Sequence, residues 1–143
     1  MAMQALIGFV GAITFAHIYR VPSRQLIYAG LVGSLGWLVF LATRDAWGEV
    51  GGVFAAATAV AMTSEILARR REQPVLVFLI PGVIPLVPGA KAYLTMLAFL
   101  RDDYAEALVL LVSTVFVAGA VAAGVIVASS IFRTYSRVKH VRR

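Results

Sequence analysis

The sequence predicts an all-α integral membrane protein of about five transmembrane helices, the fourth of them broken by a proline and glycine motif. Hydrophobic residues make up 61% of the 143 positions and charged residues only 14%, and the mean hydropathy is +0.88. Soluble domains carry about 25% charged residues, so this chain lacks the polar surface that a water-exposed fold needs. The charges are also grouped between long uncharged runs. We therefore predict a single transmembrane domain over residues 1–143.

Five apolar segments are long enough to cross a bilayer, for which a helix needs about 20 residues. The predicted spans are residues 1–19, 26–43, 50–67, 74–100 and 107–132, followed by a basic tail at residues 133–143. Short connectors separate them, so no soluble module is expected. The fourth segment differs from the others because it contains four prolines.

The positions of the basic residues orient the predicted bundle. Ten of the thirteen lysines and arginines lie between spans one and two, between spans three and four, or in the tail. These three clusters fall on the same side of the membrane, and basic clusters mark the cytoplasmic side. We expect an inner-membrane protein with its N-terminus outside and a cytoplasmic tail held near anionic lipid headgroups. The net charge of +6 is explained in this way, so no nucleic-acid partner is predicted.

The break in the fourth span is the predicted substrate site. Residues 81–89 read PGVIPLVPG and are not expected to form a regular helix, because each proline removes a backbone donor. Irregular backbone within a membrane is tolerated where it is buried in protein or lines a polar cavity, as in the broken helices of transporters. Candidate substrate-binding residues are Pro81, Gly82, Pro85, Pro88, Gly89 and Lys91. The alternative is a kinked helix or a re-entrant hairpin that is packed without a ligand.

Two ionisable residues within the apolar segments have competing interpretations. Lys91 either binds a carboxylate of the substrate or extends its ammonium group towards the outer interface. Glu65 is a candidate carrier of a coupling proton, since carboxylates inside membranes are often functional. Its alternative role is an ion pair with Arg69, four residues further along the same helix.

Small residues recur on two predicted spans and indicate close helix–helix contact, the alternative being small residues that merely fill a helix. The face on span two consists of Gly30, Gly33 and Gly36, and the patch on span five consists of Gly119, Ala120, Ala123 and Gly124. Both are candidate interfaces with another membrane subunit.

Enzyme chemistry is not predicted. The chain has two histidines and no cysteine, and it contains neither an HExxH nor a GxSxG motif. We therefore assign no catalytic residue, metal site or cofactor.

Several segments together resemble the threonine/serine exporter family, and in particular its short, YjjB-like members. The most specific is PGVIPLVPG at residues 81–89. Weaker similarities are VP at 21–22, YAGLVG at 28–33, SEILARR at 64–70 and RDDYAEA at 101–107. The resemblance extends from about residue 21 to about residue 128.

The resemblance implies transport. Long members of the family fuse two membrane halves and export threonine and serine, whereas short members resemble the C-terminal half and work beside a separate partner. A related pair has been linked to succinate export. The expected function is thus a secondary-transporter subunit that exports threonine/serine-type amino acids or a dicarboxylate. The expected partner is an N-terminal-half subunit or a second copy of this chain. The alternative is a structural or regulatory subunit without its own substrate site.

Overall fold

The computed structural model describes the backbone of residues 2–141 and the side chains of residues 3–132. The basic side chains of the predicted tail, residues 133–143, lie outside the described side chains. The helices are α1 (Ala2–Ile18), α2 (Ser23–Arg71), α3 (Leu76–Val83), α4 (Gly89–Leu100) and α5 (Tyr104–Val141), with a 3-10 turn at Ile84–Leu86 between α3 and α4. The described residues contain no strand, so the all-α prediction is confirmed.

Helix α2 is a hairpin of two antiparallel arms, although its hydrogen-bonding pattern runs through the turn. Gly48 has non-helical backbone angles (φ 71°, ψ 177°) and separates a first arm, residues 23–47, from a second arm, residues 49–71. A straight helix would hold Gly52 and Arg44 about 12 Å apart. Instead, a Cβ atom at Gly52 would lie 3.0 Å from the Cα of Arg44, and one at Gly36 would overlap the side chain of Val60. The arms therefore contain predicted spans two and three as neighbours.

The number of membrane crossings is not decided by length and composition. Within the described residues, α2 and α5 are long and apolar enough to span, and the bent pair of α3 and α4 is a possible third span. Helix α1 has 17 residues and is shorter than a typical span. The five crossings stay a prediction.

Helix α1 packs antiparallel to the first arm of α2. The hydroxyl of Ser34 donates a hydrogen bond to the carbonyl of Ala5 (3.0 Å), and the indole Nε1 of Trp37 donates one to Oε1 of Gln4 (3.0 Å). Between these two helices, Gly33 lies so close to Ala12 that a Cβ atom would overlap it. Small residues thus allow the two backbones to approach each other.

The glycine face of span two is consequently not free to meet another chain. Gly30, Gly33 and Gly36 are all buried, the first two against α1 and the third against the second arm. The prediction that this face forms an interface with a partner is wrong, because the chain's own helices cover it.

Helix α5 runs parallel to the second arm of α2. Val117 packs against Val53, and the guanidinium of Arg69 lies 5.2 Å from the ring centroid of Phe132. Gly124 contacts the backbone of the second arm, so part of the small-residue patch on span five is also used within the chain. Gly119 and Ala123 remain exposed.

The break in the fourth span is shorter than predicted. Helix α3 continues through Pro81 to Val83, the 3-10 turn follows, and only Val87 and Pro88 lie outside helical structure before α4 begins. The two helical parts are bent by 49°. A break over the whole of residues 81–89 is therefore wrong. Pro81 removes a single donor from a short helix, and Pro85 lies at the start of the 3-10 turn, where a donor is not needed.

Helix α3 fits between the two arms of α2, and this contact forms the core. A Cβ atom at Gly82 would lie 2.6 Å from a methyl group of Val32 in the first arm and 2.9 Å from one of Val60 in the second. Phe78, one turn earlier, is fully buried. The core is thus made largely of small and β-branched residues that let three helical segments approach closely.

The reversal at Gly48 predicts a disulfide between engineered cysteines. In an Arg44→Cys/Gly52→Cys double variant the two Cβ atoms would be 3.2 Å apart, slightly closer than the roughly 3.8 Å mean of disulfides. The chain has no cysteine of its own. Oxidation should therefore protect both positions from a maleimide label until a reductant is added.

The matched control is Arg44→Cys/Gly51→Cys, because a Cβ atom at Gly51 has only the Trp47 side chain within 4 Å. This variant should stay labelled after oxidation. Equal labelling of both variants would show that α2 does not fold back at Gly48.

Candidate functional site

Lys91 links three parts of the chain through its ammonium group. Its Nζ atom donates hydrogen bonds to Oε2 of Glu49 (2.5 Å) and to the hydroxyl of Ser113 (2.8 Å). The lysine belongs to α4, the glutamate is the first residue of the second arm, and the serine belongs to α5. The exposed fractions of the Lys91 and Glu49 side chains are 28% and 46%. This ion pair is therefore accessible from outside the protein.

Both charged residues lie next to breaks in the backbone. The extended residue Val87 and the following Pro88 end the 3-10 turn, so that α4 begins at Gly89 and Lys91 falls in its first turn. Gly89 itself is exposed and has open space around it. Glu49 directly follows Gly48, whose left-handed conformation reverses α2. The breaks thus bring the two charges to one place.

A cavity of about 190 Å³ adjoins the ion pair. Its lining combines the two charged residues with apolar and aromatic side chains. The lining residues are Trp37, Phe40, Glu49, Val53, Pro85, Leu86, Val87, Pro88, Ala90, Lys91 and Val117. Small-molecule sites usually have this composition, with a few polar groups placed in an apolar wall.

The structure separates the six predicted substrate-binding residues, of which Gly89 is exposed and does not line the cavity. Pro85, Pro88 and Lys91 line the cavity. Pro81 and Gly82 are buried in the core between the arms of α2 and do not line it. The motif therefore has one half that packs and one half that faces the cavity.

Glu65 lies far from this cavity. Its carboxylate is 3.9 Å from a guanidinium nitrogen of Arg69, and its side chain is 16% exposed. Glu65 and Glu49 are separated by 16 helical residues, or about 24 Å along the second arm. This geometry matches the ion-pair alternative, and it does not bring Glu65 together with Lys91.

Sequence reasoning missed Glu49 and Ser113. A lysine within an apolar segment needs a partner, because an unpaired charge in an apolar environment is costly. That rule indicates that a carboxylate exists, and Glu49 in the connector between spans two and three was available. Choosing it over Asp45 or Glu65 requires the tertiary structure, since Lys91 and Glu49 are 42 residues apart.

The side chains of the site are suited to binding a small charged solute. No group of three or more histidine, cysteine or carboxylate side chains is arranged for a metal among the described residues. Lys91 can bind an anionic group, Glu49 can bind a cationic group, and Ser113 can donate or accept a hydrogen bond. Together these side chains fit a small solute that carries both charges.

Comparisons with known proteins identify the family of the chain. A profile described as "Threonine/Serine exporter, ThrE" matches residues 4–131. A protein named "Threonine/serine exporter" from Corynebacterium glutamicum is 32% identical over 134 residues, which cover 94% of this chain and 27% of that protein. A "Probable threonine/serine exporter" from Mycobacterium tuberculosis is 31% identical over 83 residues, or 57% of this chain and 16% of that protein.

The chain thus spans at most about a quarter of the length of these two relatives. No solved structure matches it. The profile covers nearly all of the described helices. The matched residues include both breaks and the three contacting residues Glu49, Lys91 and Ser113. On this evidence the chain is a membrane protein that belongs to the threonine/serine exporter family.

Proposed function

We propose that the chain is a subunit of a secondary transporter that exports a small polar metabolite through the cavity at Lys91 and Glu49. The observation that carries this proposal is the pair of opposite charges beside an apolar cavity at a helix break. Broken helices in transporters place substrate groups in this way, near exposed backbone and the ends of half-helices. The N-terminus of α4 adds a partial positive charge next to Lys91.

The charges favour a zwitterionic amino acid as the substrate. Its carboxylate would replace Glu49 as the partner of Lys91, and its ammonium group would replace Lys91 as the partner of Glu49. The loss of the internal ion pair is then offset by two equivalent contacts. A cavity of about 190 Å³ is also smaller than the 300–1,000 Å³ of drug-sized sites. A threonine- or serine-type hydroxy amino acid could add a hydrogen bond to Ser113.

A dicarboxylate such as succinate fits this cavity less well. It needs two cationic partners, and Lys91 is the only cation among the described side chains that line the cavity. Glu49 would face one of the two carboxylates and repel it. The alternative of a structural or regulatory subunit explains neither the accessible charges nor the cavity beside them.

The proposed topology has five crossings, an external N-terminus and a cytoplasmic tail in the inner membrane. The packing supports this arrangement: α1 and the first arm are antiparallel, the two arms are antiparallel, and α5 is parallel to the second arm. Arg20, Arg24 and residues 69–71 consequently lie at one end of the bundle, and Lys91 and Glu49 lie towards the other. The positive-inside rule places the arginine-rich end in the cytoplasm.

The shape of the opposite end supports a partner subunit. Lys91 contacts both Glu49 and Ser113, so these two residues lie at the same level of the bundle. Helix α5 begins nine residues before Ser113 and therefore extends about 13 Å beyond the Gly48 turn. Helix α4 packs along this part of α5. We call residues 91–112 the overhang; its exposed apolar side chains include Tyr93, Met96, Leu100, Leu108, Val109 and Val112.

No single position of the bilayer suits both the apolar surface of the overhang and the charged residues of the Gly48 turn. Arg44 and Asp45 are exposed at the level where the overhang begins. A bilayer that covers the overhang would bury these charges, and one that ends at the turn would leave the apolar overhang in water. A partner membrane subunit that covers the overhang removes this conflict. We propose an N-terminal-half subunit of opposite orientation, as in inverted-repeat transporters, with a second copy as the alternative.

Substitutions of the ion pair test the substrate site. Lys91→Ala and Glu49→Gln, introduced into the chromosomal copy so that native partners are present, should each lower threonine export about tenfold or more. Hydrogen bonds to charged groups contribute about 1.5–3 kcal/mol, and about 1.4 kcal/mol corresponds to tenfold. Export is measured as the loss of threonine from cells loaded with a threonine dipeptide, and parallel loading with serine and succinate compares the substrates.

Arg44→Ala is the matched control, because it removes an exposed cation near the same turn that does not line the cavity. It should export normally, and all variants should reach the membrane in equal amounts. Wild-type export by both site variants would support the structural or regulatory alternative. Succinate export that depends on Lys91 while threonine export does not would contradict the zwitterion proposal.

Reporter fusions test the orientation. A cytoplasmic reporter fused after Arg143 and an alkaline phosphatase inserted between Asp102 and Asp103 should both be active, because the proposed topology puts these points on opposite sides. Alkaline phosphatase fused after Arg143 serves as the control and should be inactive. An active phosphatase at that point would contradict the proposed cytoplasmic location of the tail.

Photo-cross-linking tests the overhang as the partner interface. A photoreactive residue at Val109, whose exposed fraction is 71%, should capture a second membrane protein in native membranes. A photoreactive phenylalanine at Phe78, which is fully buried and already aromatic, should capture none. A product of twice the subunit mass would identify a second copy as the partner. Absence of any product from Val109, in cells that still export, would argue against a partner at this surface.

A further inference from the structure

Arg71, the last residue of α2, stacks on Tyr28, which lies near the start of the same helix. The guanidinium carbon of Arg71 lies 3.8 Å from the centroid of the Tyr28 ring. Arg24 precedes Tyr28 by four residues in α2, and residues with this spacing are neighbours on one helix face, with about 5–6 Å between their Cβ atoms. From this spacing we expect the Arg24 side chain to lie beside the ring on which Arg71 stacks.

Neither guanidinium group is neutralised by an acid. Arg24 and Arg71 form no ion pair within the part of the chain whose side chains are described. Glu72 directly follows Arg71 in the sequence but makes no ion pair with it, and the first turn of α2 has no acidic residue. The Tyr28 hydroxyl makes no hydrogen bond within the same part of the chain. Two cations and one free hydroxyl donor are thus available to a ligand.

A phosphate group matches these donors. Two adjacent guanidinium groups repel each other unless an anion lies between them, and their planar fork suits phosphate oxygens. Stacking on Tyr28 holds Arg71 in place before a ligand arrives. The site also lies at the arginine-rich end of the bundle, where the membrane surface presents lipid phosphates. Arginines near a membrane surface are attracted to anionic lipid, and tyrosines are common at that depth.

We propose that Arg24, Tyr28 and Arg71 bind the phosphate of an anionic phospholipid. Arg24 begins the first arm of α2 and Arg71 ends the second, so one lipid would hold together the open end of the hairpin. The site is separated from the Lys91 cavity by most of the length of the second arm. The proposal therefore requires that the chain be a membrane protein, and it does not depend on the proposed substrate.

Native mass spectrometry of the purified full chain, with any partner that copurifies, tests the site. Phosphatidylglycerol binding is compared with phosphatidylcholine binding in the wild type, in Arg24→Gln/Arg71→Gln and in Arg20→Gln/Arg70→Gln. The third protein is the matched control, because it also loses two positive charges from this end of the bundle, but from two other arginines. We expect phosphatidylglycerol affinity to fall about tenfold or more in Arg24→Gln/Arg71→Gln and less than about threefold in the control.

Soluble glycerol phosphate identifies the source of the phosphate group. At equal concentration it should not displace phosphatidylglycerol, because a lipid also gains the burial of its acyl chains against the helices. Displacement would assign the site to a soluble phosphate ester and overturn the lipid proposal. Equal weakening in the two double variants, with unchanged melting temperatures, would show that only net charge matters. Equal affinity of the wild type for the two lipids would also overturn the proposal.

Discussion

The reversal of α2 at Gly48 is the constraint on which the remaining structure depends. Its backbone angles, φ 71° and ψ 177°, belong to a region that is essentially restricted to glycine. The reversal folds α2 into two arms, and the space between them accepts α3. It also places Glu49 where Lys91 can reach it. At the opposite end it brings the start and the end of α2 together, so that Arg71 meets Tyr28.

Small residues then decide how closely the helices approach each other. Gly33 lies against Ala12 of α1, Gly82 lies between the two arms, and Gly124 lies against the backbone of the second arm. Within a bilayer, apolar side chains gain little by leaving lipid for protein, so close packing has to drive association. The chain uses most of its glycines for this purpose internally. At the overhang, by contrast, large apolar side chains are exposed.

The Lys91–Glu49 pair shows how stability and function are combined in this fold. Each charge alone would be costly in an apolar setting, and the pair with the Ser113 hydroxyl compensates both. Under the proposed function, the same compensation would make the pair exchangeable for a zwitterion. Without a solute, the two charges pair with each other and need neither water nor an ion as a partner. In the proposed function, a solute of matching charges replaces this internal contact. The breaks at Gly48 and at Val87–Pro88 supply the geometry, since a regular helix at either point would separate the two residues.

Composition and hydropathy determined the membrane location and the all-α class, because too few charges are present for a water-exposed surface. Proline density located the bend between α3 and α4, and the motif at residues 81–89 together with weaker segments indicated the family. The extent of the break was not determined by the sequence, because a helix that loses one donor at Pro81 survives when it is packed between two arms. The sequence also could not identify Glu49 as the partner of Lys91, since the two residues are 42 positions apart and several carboxylates were equally plausible. The use of Gly33 was misjudged for a related reason: a small-residue face predicts a close contact, but only the tertiary structure decides which helix makes it.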